Sequence, residues 1–325
     1  TSGQYGHTRY NTDSGSLEFW DGTSWISTNL IPTVDSISGA IYETVGTDLT
    51  LSLSNATDSV DVVFSESGSE LATVTDVSVS SGSVTVAVPS AVYGQSVGDT
   101  IAISIKNQDG TPSSNSRSVT VSSLPTGGTI TTSGNYRYHT FTSNGTFTST
   151  INNLVVEYLI VAGGGAGGGY GGGGGAGGVV NGQYTTSAST YSLIVGPGGA
   201  DGGHGLGNSG ANSSGFAETA IGGGYGSHGG TNAAAGGSGG GGSYNNTSGA
   251  SGTPGQGNQG GDGYADGGNN RYLGGGGGGA GAAGMNAGTN GTFAGDGGAG
   301  TNSYSTWASA TSTGVSGYYA AGGGG

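Results

Sequence analysis

Between residues 161 and 325 the chain carries 64 of its 79 glycines, many of them in unbroken runs such as 171–175, 239–242 and 274–279. Glycine loses more backbone freedom on ordering than any other residue and weakens both helices and strands. A folded region of this composition therefore needs a packing mode that profits from the missing side chain. Collagen is excluded, because the runs have no strict period of three and the region holds just two prolines, Pro197 and Pro254. A flexible linker or disordered tail is disfavoured: charged residues make up 7% of the chain, and ten tyrosines, two phenylalanines and Trp307 punctuate the region. The remaining solution is the extended, left-handed polyproline II helix, with about three residues per turn, ~3.1 Å rise and no internal hydrogen bonds. Its amides must find carbonyls on neighbouring segments, and pure glycine lets those segments close in from every side.

The stretches between the runs should then emerge as loops at the ends of the stack, where recognition residues collect. Three stretches qualify, 243–251, 269–273 and 301–319. They supply the candidate contacts Tyr244, Asn245, Asn246, Arg271, Tyr272, Tyr304, Trp307, Tyr318 and Tyr319, a mixture of flat aromatic faces and amide or guanidinium groups that suits protein or sugar surfaces.

Outside the glycine-rich stretch the pattern is that of β structure. Residues 1–29 are polar and aromatic, with turn signals at Asp13-Ser14-Gly15 and Asp21-Gly22, and read as a short meander with too few apolar residues for a core of its own. Residues 30–124 alternate with period two at Leu49-Leu51-Leu53, Val84-Val86-Val88 and Ile101-Ile103-Ile105, which predicts half-buried strands in a β-sandwich. Residues 125–160 form a β-rich adaptor ending in the apolar run 154–161, expected as a central, buried strand. No helical period is visible. The expected fold class is mainly β: a sandwich spacer, a β-rich adaptor and a glycine-rich domain, 161–325, of packed polyproline II segments.

Several functions are disfavoured by the same residues. The net charge is −14 with one lysine, Lys106, so neither nucleic acid nor an anionic membrane surface is an expected partner, and no apolar run is long enough to span a bilayer. Without cysteine there is no disulfide or thiolate chemistry. GxGxxG patterns within 163–178 arise by chance in such a composition, with no helix and no acidic partner to follow. His7, His139, His204 and His228 are scattered, and His204 with Asp201 reads as loop hydrogen bonding rather than a metal or acid–base pair. Asp262 and Asp266 in "GGDGYADGGNN" look like a calcium turn but read better as turn structure. No catalytic residue, metal site or cofactor is expected.

Three strings carry resemblances. "RYNTDSGSLEFWDGTSW", 9–25, resembles a short module of bacteriophage tail-fibre and tail-spike proteins. "PTVDSISG", "VAVP" and "ISIKNQDGTPSS" resemble immunoglobulin-like plexin and transcription-factor (IPT/TIG) domains, which implies an immunoglobulin-like spacer at 30–124. "VEYLIVAGGGAGGGYGGGGGAGGVVNGQYTTSASTYSLIVGPGG", 156–199, and "SSGFAETAIGGGYG", 213–226, resemble the glycine-rich domain of phage tail fibres, similar in style to phage receptor-binding adhesins. The resemblance implies a virion-borne, extracellular, non-enzymatic subunit. Its loops would contact a bacterial surface receptor, an outer-membrane protein or a glycan, and 1–29 would join it to other tail-fibre or virion proteins. The core-poor meander points to a homo-oligomer, threefold as in many fibres. The competing expectations are a decoration or connector fibre without a receptor, and an ice-binding polyproline II bundle.

Overall fold

The computed structural model describes residues 7–12, 16–20, 22–27, 31–169, 171–245, 247–266, 271–289 and 292–325, in two compact units, 1–124 and 125–325. The molecule is mainly β, with two short helices among the described residues.

In the first unit, β1 (Thr8–Asn11), β2 (Ser16–Trp20) and β3 (Trp25–Ser27) form an antiparallel meander. Its two faces differ because side chains alternate along each strand. On one face Arg9 Nε meets Glu18 Oε2 at 2.7 Å, Asn11 donates to Glu18 Oε1 at 2.8 Å, the guanidinium sits 4.4 Å from the Trp25 ring centre, and Trp25 packs on Trp20. These bonds hold the Glu18 carboxyl below its ordinary range, Asn11 contributing most and Arg9 next. Tyr10, Leu17 and Phe19 are exposed on the other face.

Two further sheets share one core. The first has the order β5 (Ile41–Tyr42), β11 (Arg117–Ser122), β10 (Thr100–Asn107), β7 (Ser59–Glu66), β8 (Ser69–Ser78); the second has β4 (Thr33–Ser38), β6 (Asp48–Ser54), β9 (Ser83–Ala87). The period-two residues behave as the alternation predicts: Leu49, Leu51, Leu53, Val84, Val86, Ile101, Ile103 and Ile105 all point into the core with Phe64. The one-turn helix α1 (Ser90–Tyr93) adds Val92.

The second unit begins with the hairpin β12 (Thr129–Ser133) and β13 (Tyr136–Thr140). Then β14 (Gly145–Ser149) pairs with β17 (Ser189–Leu193), β15 (Leu154–Val161) with β16 (Val179–Thr186), and β18 (Ser213–Gly215) with β19 (Glu218–Ala220). Strands from 125–160 thus pair with strands lying inside the glycine-rich stretch, and both belong to one unit. The apolar run 154–161 is neither central nor buried: among the described residues β15 pairs with β16 alone, and Val155 is 55% exposed. A continuous apolar run fits a central strand, but here only one neighbour is provided. The second sequence-based expectation to fail is the loop at 301–319, where Ser305–Thr311 forms helix α2 ending on Ser312 in the left-handed conformation. The seven residues STWASAT lack glycine and proline and hold two alanines, a local helix preference that the surrounding glycine masks.

An aromatic cluster packs among these strands. Phe216 lies 5.2–5.9 Å from Tyr184, Tyr191, Phe147 and Tyr158, and His139 stands edge-on to Phe147 at 5.1 Å. Phe216 and Ala217 turn the β18–β19 hairpin with φ of 52° and 64°, a left-handed pair that normally takes asparagine and glycine. The strain is offset by the ring contacts that this turn gives Phe216.

The glycine segments form a lattice. Along 171–178 the amides of Gly172, Gly175 and Gly178 donate to Ser227, Gly224 and Ile221, while those of Gly173 and Ala176 donate to Gly275 and Gly278. The bonding thus advances by three residues on each side. In the run 274–279, every amide from Gly275 to Gly279 donates to a backbone carbonyl: Gly242, Met285, Gly323, Gly239 and Ala282 in turn. Segment 274–279 is enclosed on all sides by 171–178, 237–243, 257–263, 284–288, 295–300 and 320–325. Enclosure explains purity: a Cβ on Gly275, Gly276, Gly277 or Gly278 would lie well under 3.0 Å from a neighbouring carbonyl oxygen.

Two outcomes follow. Gly277→Ala, whose methyl would meet the Gly174 carbonyl, destabilises the second unit by at least about 1–3 kcal/mol, whereas Ala166→Gly costs at most about 1 kcal/mol; urea unfolding of the full chain separates them. The second concerns pH. Burial pushes the His139 ring below its ordinary 6.5 and Arg137 adds to the shift, against the opposing hydrogen bond to the Gly127 carbonyl. An unfolded ring therefore takes up a proton before the folded one does. Its contribution is whole above pH 6.5 and is lost as pH falls below that value; a melting-temperature series should show a shallower acid-side decline for His139→Gln.

Candidate functional site

The hydrogen bonds of the lattice fix which loops share an end. Segments 162–168 and 171–178 run antiparallel, with Ala162 bonded to Gly178 and Gly168 to Gly172, so Gly169 and Gly171 lie at one end and the strand-forming residues at the other. Following the pairs onward, 221 lies with 178 and 227 with 172; 237 lies with 222 and 241 with 227; 250 lies with 240 and 263 with 247; 295 lies with 274 and 298 with 277. The chain therefore shuttles between two ends. The strand end carries β12–β19, the turn 253–257 and the connection 301–319. The loop end carries the turns near Gly169, His204, His228, Tyr244, Tyr272 and Phe293.

The sequence-predicted contact residues divide between these ends. Tyr244 and Tyr272 come together at the loop end, ring centres 5.1 Å apart and edge-on. Asn245 is exposed beside Tyr244, and Asn246 lies outside the described residues. Arg271 opens β21 (Arg271–Leu273), opposite Asp266 of β20 (Tyr264–Asp266), in a hairpin that carries Tyr272, 51% exposed. At the strand end, Trp307 packs edge-on against Tyr138 of β13 and Tyr304 of the helix approach, at 6.2 and 5.9 Å. Burial raises the Tyr304 hydroxyl above its usual range. Tyr319 bonds through its hydroxyl to Thr313 at 2.6 Å, and Thr313 bonds to Thr311, which caps the Trp307 carbonyl. Tyr318 is exposed in the turn with Val315. The candidate residues therefore divide between the two ends: Tyr304, Trp307, Tyr318 and Tyr319 sit opposite Tyr244 and Tyr272, and Trp307 ties α2 to the β12–β13 hairpin.

The loop end is held from below. Ser227 and Ser243 are fully buried, and their hydroxyls form a cluster with Thr247 in which the Ser243 amide reaches Ser227 Oγ at 2.9 Å and Thr247 Oγ1 at 2.6 Å. Ser227 and Thr247 hydroxyls are 3.0 Å apart, and Ser243 Oγ donates to the Gly229 carbonyl. The residue before Tyr244 is thus fixed on three sides. His228 Nδ1 bonds the Gly169 carbonyl, Thr231 caps the His228 turn, and Asp201 accepts the Gly203 amide at 2.9 Å. His228 thus serves its loop, and Asp262 accepts the Gly249 amide. Among the described residues no cluster of three or more histidines and carboxylates could hold a metal ion.

Sequence reasoning missed Leu206 and Phe293, 41% and 54% exposed at the same end. Their signal was available: an isolated apolar residue in a glycine-rich loop, "GHGLGN" and "GTFAG", has no core to join. What the arrangement offers chemically is contact, with aromatic and apolar faces standing over a rigid hydrogen-bonded floor.

A family model described as a glycine-rich domain matches residues 142–325, from β14 through the whole lattice. The chain belongs to this glycine-rich domain family. No curated protein and no solved structure matches the chain.

Trp307→Ala should cost about 2 kcal/mol, below the range of ~3–5 for a fully buried ring, while Tyr272→Ala should shift stability by under about 0.5 kcal/mol; urea denaturation followed by circular dichroism distinguishes packing from surface display.

Proposed function

We propose that the chain is a non-enzymatic tail-fibre or adhesin subunit of a virion, acting outside the host cell, in which the glycine-rich domain presents loops to a bacterial surface receptor. The supporting observation is the segregation of turns. Tyr244, Tyr272, Leu206 and Phe293 gather at one end of the lattice, and the chain enters the unit at the other, where Thr126 bridges Thr148 of β14. Loops with hydrogen-bonded feet lose little entropy on binding, which favours affinity from few contacts.

The finer fold reading belongs to the same proposal. The three-residue advance of the bonding along 171–178 suits packed polyproline II segments. Two sheets over one core in 31–122 suit an immunoglobulin-like spacer. The meander β1–β3 would join the chain to other virion proteins and to its own copies, and several copies would turn weak contacts into lasting attachment.

Labelled full-length chain should bind cells of the bacterium on which the virus grows, with Tyr244→Ala and Tyr272→Ala each weakening binding by about tenfold, equivalent to ~1.4 kcal/mol, and Tyr318→Ala leaving it unchanged. Absence of binding to any permissive strain would discard the adhesin reading in favour of a connector fibre.

A further inference from the structure

Among the described residues, one position of the lattice is vacant. Around segment 171–178 the neighbours follow in the order 162–168, 221–227, 237–243, 274–279 and 320–325, and the last of these does not meet the first. The unfilled direction is visible in the amides. Of each three successive residues, one donates to 221–227 and the next to 274–279, but the third, Gly174 and then Gly177, meets no acceptor among the described residues, although both are buried. The carbonyls of Ala162 and Gly165, on the flanking segment, face the Cα atoms of Gly177 and Gly174 and so do not supply these amides. A buried amide without a partner is costly and rarely kept without purpose.

A second observation points the same way. Most glycines of the lattice are required by the chain itself, since a Cβ would fall on neighbouring backbone: at Gly163, Gly165 and Gly168 on one wall, and at Gly322 and Gly325 on the other. Gly164, Gly167 and Gly324 are different. A Cβ there comes no nearer than 3.5 Å to any heavy atom. Gly164 and Gly167 are three residues apart, and their open positions lie 3.9 and 4.0 Å from the amide nitrogens of Gly177 and Gly174. Glycine has been placed along this groove where the single chain does not need it.

We infer that the groove between 162–168 and 320–325 receives an extended glycine segment from a second copy of this chain. Paired amides three residues apart match the carbonyls of an extended segment with three residues per turn, and a segment carrying side chains could not approach the floor. The copy has a suitable segment beside the groove: 323–325 is exposed, and the Gly324 amide has no partner. Two copies meeting through this face can each offer 320–325 to the other. This contact is separate from any association through the meander, and it goes beyond receptor binding.

The test is hydrogen exchange of the full-length protein, resolved to the Gly174 and Gly177 amides, over a dilution series with sedimentation in parallel. Both amides should be unprotected in dilute protein and gain at least about tenfold protection as copies associate. Gly164→Val and Gly324→Val, at positions where the monomer accommodates a Cβ, should melt at the wild-type temperature when dilute and lose the concentration-dependent protection. Protection that ignores concentration, or that survives both substitutions in associated protein, would overturn the proposal; the first of these would point to an occupant other than a second copy. Loss of folding in the valine variants would equally remove its basis.

Discussion

Every feature of the second unit depends on one interaction, the amide–carbonyl hydrogen bond between extended segments with no side chain intervening. A net contribution of about 0.5–1.5 kcal/mol per bond is modest, and ordering glycine backbone costs more per residue than ordering any other type. The lattice is stable only because nearly every interior amide is used and because adjacent backbones pack closely enough for dispersion to add up. Purity of sequence tracks enclosure: 274–279, surrounded on every side, is all glycine, and segments at the margin admit alanine, serine, asparagine and methionine.

The same constraint separates framework from surface. A segment inside the lattice cannot vary, because a methyl group meets backbone; a turn outside it is free to vary. That freedom is used differently at the two ends. At the strand end it builds a conventional aromatic core around Phe216, with α2 and Trp307 fastened to the β12–β13 hairpin. At the loop end it leaves Tyr272, Phe293 and Leu206 in solvent above buried serine hydroxyls. On the proposed reading, the first end carries the domain and the second meets the receptor.

Alternation at Leu49–Leu53 and Ile101–Ile105 was legible because a half-buried strand imposes period two locally, whatever else the chain does. The run 154–161 misled because apolar residues in succession say that both faces can be covered, not how many strands will cover them. Helix α2 was hidden by its surroundings, and the left-handed Phe216–Ala217 turn by lacking the residues that usually mark it. Of the nine candidate contacts, chemistry alone made all nine equivalent. Tyr244 and Tyr272, 28 positions apart, are neighbours, and Trp307 packs on Tyr138 from a distant part of the chain.

The sequence by itself determined that glycine would be scaffold and that the aromatic and amide side chains would lie between the runs, because a backbone without side chains can satisfy its amides only by close packing with others like it. Which run lies beside which, and therefore which loops share an end, was decided by the tertiary structure alone. Glycine runs are chemically alike, so no local signal tells 171–178 to donate to 221–227 and 274–279 rather than to any other run. The choice is made by the hairpins and the aromatic cluster at the strand end, which set where each run begins.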